Sequence, residues 1–173
     1  MRHIRKTEVE DLKREGDILP EQLIDGIMSK TCLPRKYADL IFAVLKRIPR
    51  DQLEVIFTVF ERFVLYEACS VAGATKITLI CPSTHFTEEM HSDLVHEAYI
   101  IDLIEENLNL FSEAAKRAII AHELAHVYCN HDRFVSSKEP LKDEDEADEV
   151  VKRWGFKREL QALLNEQKKF NPR

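Results

Sequence analysis

The chain has 173 residues, 45% of them hydrophobic and 32% charged, which suits one ordinary domain with a real core and excludes wholesale disorder. Only 4 glycines occur, so a turn-rich all-β sandwich is disfavoured and a helix-dominated fold expected. The net charge of −6 and a pI near 5.7 argue against a generic nucleic-acid binder, which needs a basic excess.

The first 17 residues lack the apolar core of a signal peptide. No run approaches the ~20 apolar residues of a membrane span. Four cysteines (Cys32, Cys69, Cys81, Cys129) lie far apart with no C-x-x-C pair, as reduced, buried thiols do. These features predict a cytoplasmic protein with neither membrane nor nucleic-acid partners.

Residues 7–15 and 21–29 read as short helices, with Gly16 and Pro20 as breakers between them. Pro34 opens a clearer helix, in which Tyr37, Leu40, Ile41, Val44, Leu45 and Ile48 recur at helical spacing. From Leu53 a helix is predicted to about Val59, then a strand over Phe63–Ala68. Lys76–Cys81, ended by Pro82, and Ala98–Ile104 read as further strands. Ser112 is placed to cap a long helix running to about Cys129. A polar loop and a final helix from near Asp143 follow. Helices, a few strands and helices again make an α+β domain.

Residues 51–128 hold 4 basic against 13 acidic side chains. The acids around Ala98–Ile104 (Glu97, Asp102, Glu105, Glu106) would favour basic substrates, if they serve more than solvation.

The chemistry concentrates in Ala118–Cys129, A-I-I-A-H-E-L-A-H-V-Y-C. Nine of its twelve residues are apolar, so this helix belongs in the domain centre. Its other three residues are His122, Glu123 and His126, and ionisable groups of this kind are costly in an apolar helix unless something satisfies them. His122 and His126 lie one turn apart and reach the same point in space. Glu123 sits about 100° round the helix, beside that point. This H-E-x-x-H spacing is the zinc-peptidase arrangement of two ligands and a general base. Three protein ligands would leave a fourth position for water.

The third ligand is sought in Asp143-Glu144-Asp145-Glu146-Ala147-Asp148-Glu149. Asp143 is placed as N-cap, Glu146 as its capping-box partner and Gly155 as the helix terminator. On a helix, Asp145, Glu149 and Lys152 form a polar, solvent-facing row. Glu144 and Asp148 share the inward side with Ala147 and Val151. Glu144 is therefore the leading ligand candidate and Glu146 the runner-up. Asp148 is placed to hold the free N–H of a ligand histidine.

His122-Glu123-Leu124-Ala125-His126, followed by Glu144-Asp145-Glu146-Ala147-Asp148, resembles the H-E-x-x-H … E-x-x-A-D signature of gluzincin zinc metallopeptidases. It is most similar to their small intracellular kinds, the minigluzincins and the ImmA/IrrE-type proteases. The resemblance covers about residues 96–156. It implies a zincin-like α+β domain over 1–173, with N-terminal helices, a small mixed sheet and two site-bearing helices. Residues 1–33 would be a helical extension and 157–173 a helical tail. It also implies Zn2+ on His122, His126 and Glu144, with Glu123 as general base, and a peptide or protein substrate paired along an edge strand near Ala98–Ile104. Tyr99, Tyr128 and His131 are candidates to stabilise the oxyanion, although His131 reads more simply as a helix-end residue. A metzincin pattern fits poorly, because Cys129 and Asp132 stand where that pattern wants Gly and His; Asp132 remains a conceivable third ligand. The competing reading is a non-catalytic zinc-binding regulatory or interaction domain, in which Cys129 would close the site. The tail (Leu160, Leu163, Leu164) either packs as an ordinary helix or covers the cleft.

Overall fold

The computed structural model describes residues 19–31, 33–66, 73–80, 95–131 and 140–170. The predicted helix over 7–15, Asp132, and the cysteines Cys32, Cys69 and Cys81 lie outside these residues. Three helices come first: α1 (Pro20–Ser29), α2 (Arg35–Leu45) and α3 (Arg50–Val59). Proline stands at the first position of α1 and just before α2 and α3, where its fixed φ suits a helix start and its missing N–H costs nothing. Gln22 reaches back to accept the Leu19 N–H at 2.8 Å. The buried residues of α2 (Tyr37, Ile41, Val44, Leu45) are the periodic positions of the sequence.

Strands β1 (Phe60–Tyr66), β2 (Gly73–Ile80) and β3 (Val95–Ile104) form one mixed sheet in the order β1-β3-β2. β3 runs parallel to β1, with Phe63 opposite Ile101, and antiparallel to β2, with Ile77 opposite Ala98. β1 starts directly where α3 ends, three residues earlier than the composition suggested. Ala98–Ile104 is thus the middle of the sheet and not an edge. The physical reason is legible afterwards. Tyr99, Ile101, Leu103 and Ile104 are all buried, and a nearly continuous apolar run suits a strand flanked on both sides. The outer strand β1 instead carries Glu61 and Arg62, charges of the kind that protect an edge.

A short helix α4 (Glu105–Asn109) leads to the long α5 (Glu113–Cys129), followed by α6 (Pro140–Arg153) and α7 (Lys157–Phe170). The architecture is α+β, mostly helical. α5 is its hub, packed against α2, α3, α6 and α7 and against β2 and β3. That explains a helix apolar nearly all round: Ala118, Ile120, Ala121, Leu124 and Ala125 are fully buried. The core they join includes Ile27 of α1, Ile41 of α2, Ile56 of α3 and Ile101 of β3.

Both ends of α5 are capped, the first by side chains and the second by the backbone. The Ser112 hydroxyl accepts the Ala115 N–H at 3.3 Å, as expected of an N-cap. Ser112 in turn donates its N–H and its hydroxyl to the two carboxylate oxygens of Glu166, at 2.9 and 2.7 Å. The tail helix α7 therefore packs on α5 as an ordinary helix, with Leu160 and Leu163 buried. At the other end Asn130 takes the left-handed conformation (φ 59°). Its N–H bonds to Val127 O at 3.2 Å and that of His131 to His126 O at 3.0 Å, the two bonds of a Schellman motif. α6 ends in the same motif at Gly155 (φ 85°). α6 starts at Pro140, a favoured first residue. Asp143 consequently lies in the first turn, facing the helix dipole, rather than at the predicted cap, and the expected capping box with Glu146 does not exist. Among the described residues no helix is long and apolar enough to cross a membrane.

Candidate metal centre

The site forms where α6 crosses the C-terminal half of α5. Ala147, Val150 and Val151 anchor α6 in the core with essentially no exposure. Helical geometry then aims Glu144 and Asp148, one turn apart, at α5. Asp145, Glu149 and Lys152 point to solvent, and Lys152 donates to Glu149 at 2.7 Å.

His122 and His126 meet as their spacing required. Their Nε2 atoms are 3.0 Å apart. Glu144 closes the triangle, with Oε2 3.0 Å from His122 Nε2 and Oε1 3.6 Å from His126 Nε2. These three donors could hold one metal ion. The opposite edge of the His122 ring is held by Asp148, at 3.0 Å from Nδ1 to Oδ1. Burial of His122 opposes its protonation, but the hydrogen bonds to Asp148 and Glu144 and the charge of Glu123 outweigh it, pushing the pKa up to about 9. Three carboxylates around one imidazole make a pocket that calls for positive charge, which a proton or a cation can supply.

Glu123, half-buried on the adjacent face of α5, lines a cavity of about 160 Å³ together with Asp102, Leu103, Ile104, Leu108 and Ile119. The lining surface is mostly apolar, with Asp102 and Glu123 as its two carboxylates. Of the acids around Ala98–Ile104, Asp102 lines this cavity. Glu105 is engaged elsewhere, accepting from Lys36 Nζ at 2.6 Å and Tyr37 OH at 3.1 Å.

The sequence reading placed His131 simply at the helix end. It is indeed at the helix end, but its ring folds back so that Nδ1 lies 2.9 Å from His126 Nδ1. Its Nε2 faces Glu146 Oε2 at 3.5 Å. Cys129, His131 and Glu146 accordingly form a second group whose donor atoms lie close enough to hold an ion. Cys129 is a free thiol whose pKa burial and the nearby Glu146 push up to about 11. The signal was Asn130: an asparagine after the last helical turn favours the left-handed turn that returns the next residue onto the helix.

Two of the three candidates for oxyanion stabilisation, Tyr99 and His131, have their polar atoms engaged by other side chains. The Tyr99 hydroxyl is buried and donates to Asn130 Oδ1 at 3.0 Å. The Tyr128 ring packs edge-on against Trp154, with centroids 6.2 Å apart. His131 is engaged by His126 and Glu146.

In comparisons with protein-family models, curated proteins and solved structures, nothing matches the chain.

Proposed function

We propose that the protein is a zinc-dependent peptidase of zincin-like fold and gluzincin type, with His122, His126 and Glu144 as ligands and Glu123 as general base. The observation that carries the reading is the convergence of the three ligand atoms within 3.0–3.6 Å beside a fourth ionisable residue with no ligand role. Tetrahedral zinc with bonds of about 2.0–2.1 Å separates its ligands by about 3.3 Å, so the triangle fits with only small adjustments. Two imidazoles and one carboxylate are also the donor set of hydrolytic zinc, which leaves one position open, whereas structural zinc closes all four. Bound there, zinc supplies Lewis acidity that brings water towards ionisation at neutral pH and polarises the scissile carbonyl.

The chain's own residues do the rest. Asp148 accepts the Nδ1–H of His122, fixing the tautomer that leaves Nε2 free as a ligand. Glu123 takes the proton of the attacking water as the new C–O bond forms, and delivers it to the leaving amine as the C–N bond breaks. The largely apolar cavity that Glu123 lines is large enough for an apolar side chain of the substrate, being comparable to cavities of about 150 Å³ that accept benzene. An extended substrate pairs with β2, the outer strand beside α5, in place of the central β3.

The test is a peptide library incubated with zinc-loaded protein and read by mass spectrometry for new termini. Wild type should cleave. Glu123→Ala should bind zinc as wild type does and lose cleavage by at least about 10²-fold, the scale of general-base contributions. Cleavage at the wild-type rate by this variant removes Glu123 from the chemistry.

A further inference from the structure

The group Cys129, His131 and Glu146 has two chemically distinct uses: a second ion site, or a device that orients His126. The Nδ1 atoms of His126 and His131 lie 2.9 Å apart, so one must donate and the other accept, and a single proton sits between them. If His126 is a ligand through Nε2, its ring proton is on Nδ1 and is donated to His131. Neutral His131 then carries its own proton on Nε2, which faces the Glu146 carboxylate at 3.5 Å. No lone pair of His131 is left for another ion. If instead an ion took His131 Nε2, the shared proton would move to His131 Nδ1, His126 would carry its proton on Nε2, and the first site would lose a ligand. The two uses exclude one another.

We propose, resting on the metal site assigned above, that His131 and Glu146 are positioning residues. They lock His126 in the ligand tautomer and thereby close the Cys129 group to a second ion. The backbone supports this arrangement. His131 and His126 occupy the two Schellman positions that ordinarily meet through an apolar contact, and here the contact is a hydrogen bond between rings 5.1 Å apart at their centroids. Asp148 serves His122 in the same way. Each histidine ligand of the triangle thus has its own acceptor, one from α6 and one from the α5 terminus.

The test is a Co2+ titration of the full chain by absorption and chelator competition. Wild type should bind one Co2+ per chain with no sulfur-to-cobalt charge-transfer band. His131→Ala should weaken binding about 10- to 100-fold, the scale for losing a group that orients a ligand. His131→Gln, whose amide oxygen can accept the same proton, should recover much of that loss. Melting temperatures without metal, being alike in the two variants, would separate orientation from folding. In the Zn2+-loaded wild type, 15N ring shifts should put protons on His126 Nδ1 and His131 Nε2, a readout that needs no variant. Reversed tautomers, wild-type affinity in His131→Ala, or two Co2+ per chain with a sulfur band each overturn the proposal. A wild type that binds no Co2+ overturns the proposal together with the peptidase reading. The expected cobalt results without any peptide cleavage would uphold the positioning role and remove the peptidase reading alone.

Discussion

Replacing Glu144 by alanine tests the centre most directly, because sequence alone left Glu144 and Glu146 in competition for the third ligand. Glu144 stands 3.0 and 3.6 Å from the two Nε2 atoms, whereas Glu146 belongs to the group with Cys129 and His131, 3.5 Å from His131 Nε2. Four-ligand zinc sites bind with about 10–16 kcal/mol, so an even share is about 2.5–4 kcal/mol per ligand. The Glu144 side chain is 62% exposed, and ordering it on the ion takes up part of that share, leaving about 2–3 kcal/mol. Glu144→Ala should therefore weaken zinc binding on the order of 10²-fold. Glu146→Ala, which touches the triangle only through His131, should weaken it by less than about tenfold. The assay is competition against a chromophoric chelator at fixed pH, with metal content of the purified proteins as a check. Equal effects of the two variants, or a larger loss in Glu146→Ala, would refute the assignment and move the third ligand to the other group.

Three further outcomes follow from the geometry. Asp148→Ala removes the acceptor on His122 Nδ1 and should lower zinc affinity about 10- to 100-fold, measured in the same competition assay; an unchanged affinity would show that the 3.0 Å contact does not orient the ring. Gly155→Ala forces a left-handed residue (φ 85°) at the α6–α7 junction, and should cost about 1 kcal/mol net of the unfolded-state gain. That lowers the melting temperature by about 2–4 °C for a chain of this size; an unchanged or higher melting temperature would contradict it. Glu166 is held below its ordinary carboxylate value by the Ser112 hydroxyl and N–H. A depressed folded pKa means that its contribution is present above the ordinary value of 4.5 and is lost as pH falls through the lower folded value. The melting-temperature gap between wild type and Glu166→Gln should be open at pH 7 and shrink at the acid end, and a gap independent of pH would exclude the linkage.

Much of the local structure was legible because its cause is local. Residues at 3.6-residue spacing in α2, the Ser112 cap, the Gly155 terminator and the apolar run of α5 each express a short-range preference. The same holds for part of the site. His122 and His126 meet because one helical turn separates them, and Glu144 and Asp148 share a face because another turn does. Where local signals competed, boundaries slipped. The proline at 140 outranked Asp143 as a helix start, and β1 began as soon as α3 ended.

The sequence by itself determined an α+β chain and the pairwise spacings within α5 and within α6, since these depend only on helix geometry. What the tertiary structure decided is everything that joins distant segments. β3 became the central strand because β1 and β2 both paired with it, a choice no single strand encodes. Glu144 rather than Glu146 faced the histidine pair because Ala147, Val150 and Val151 set the rotation of α6 against the core. His131 was brought onto His126 by one left-handed residue, Asn130, and onto Glu146 by the packing of α6. A site of this kind needs donors placed to within a fraction of an ångström, and only the packed core, common to both helices, fixes positions that closely.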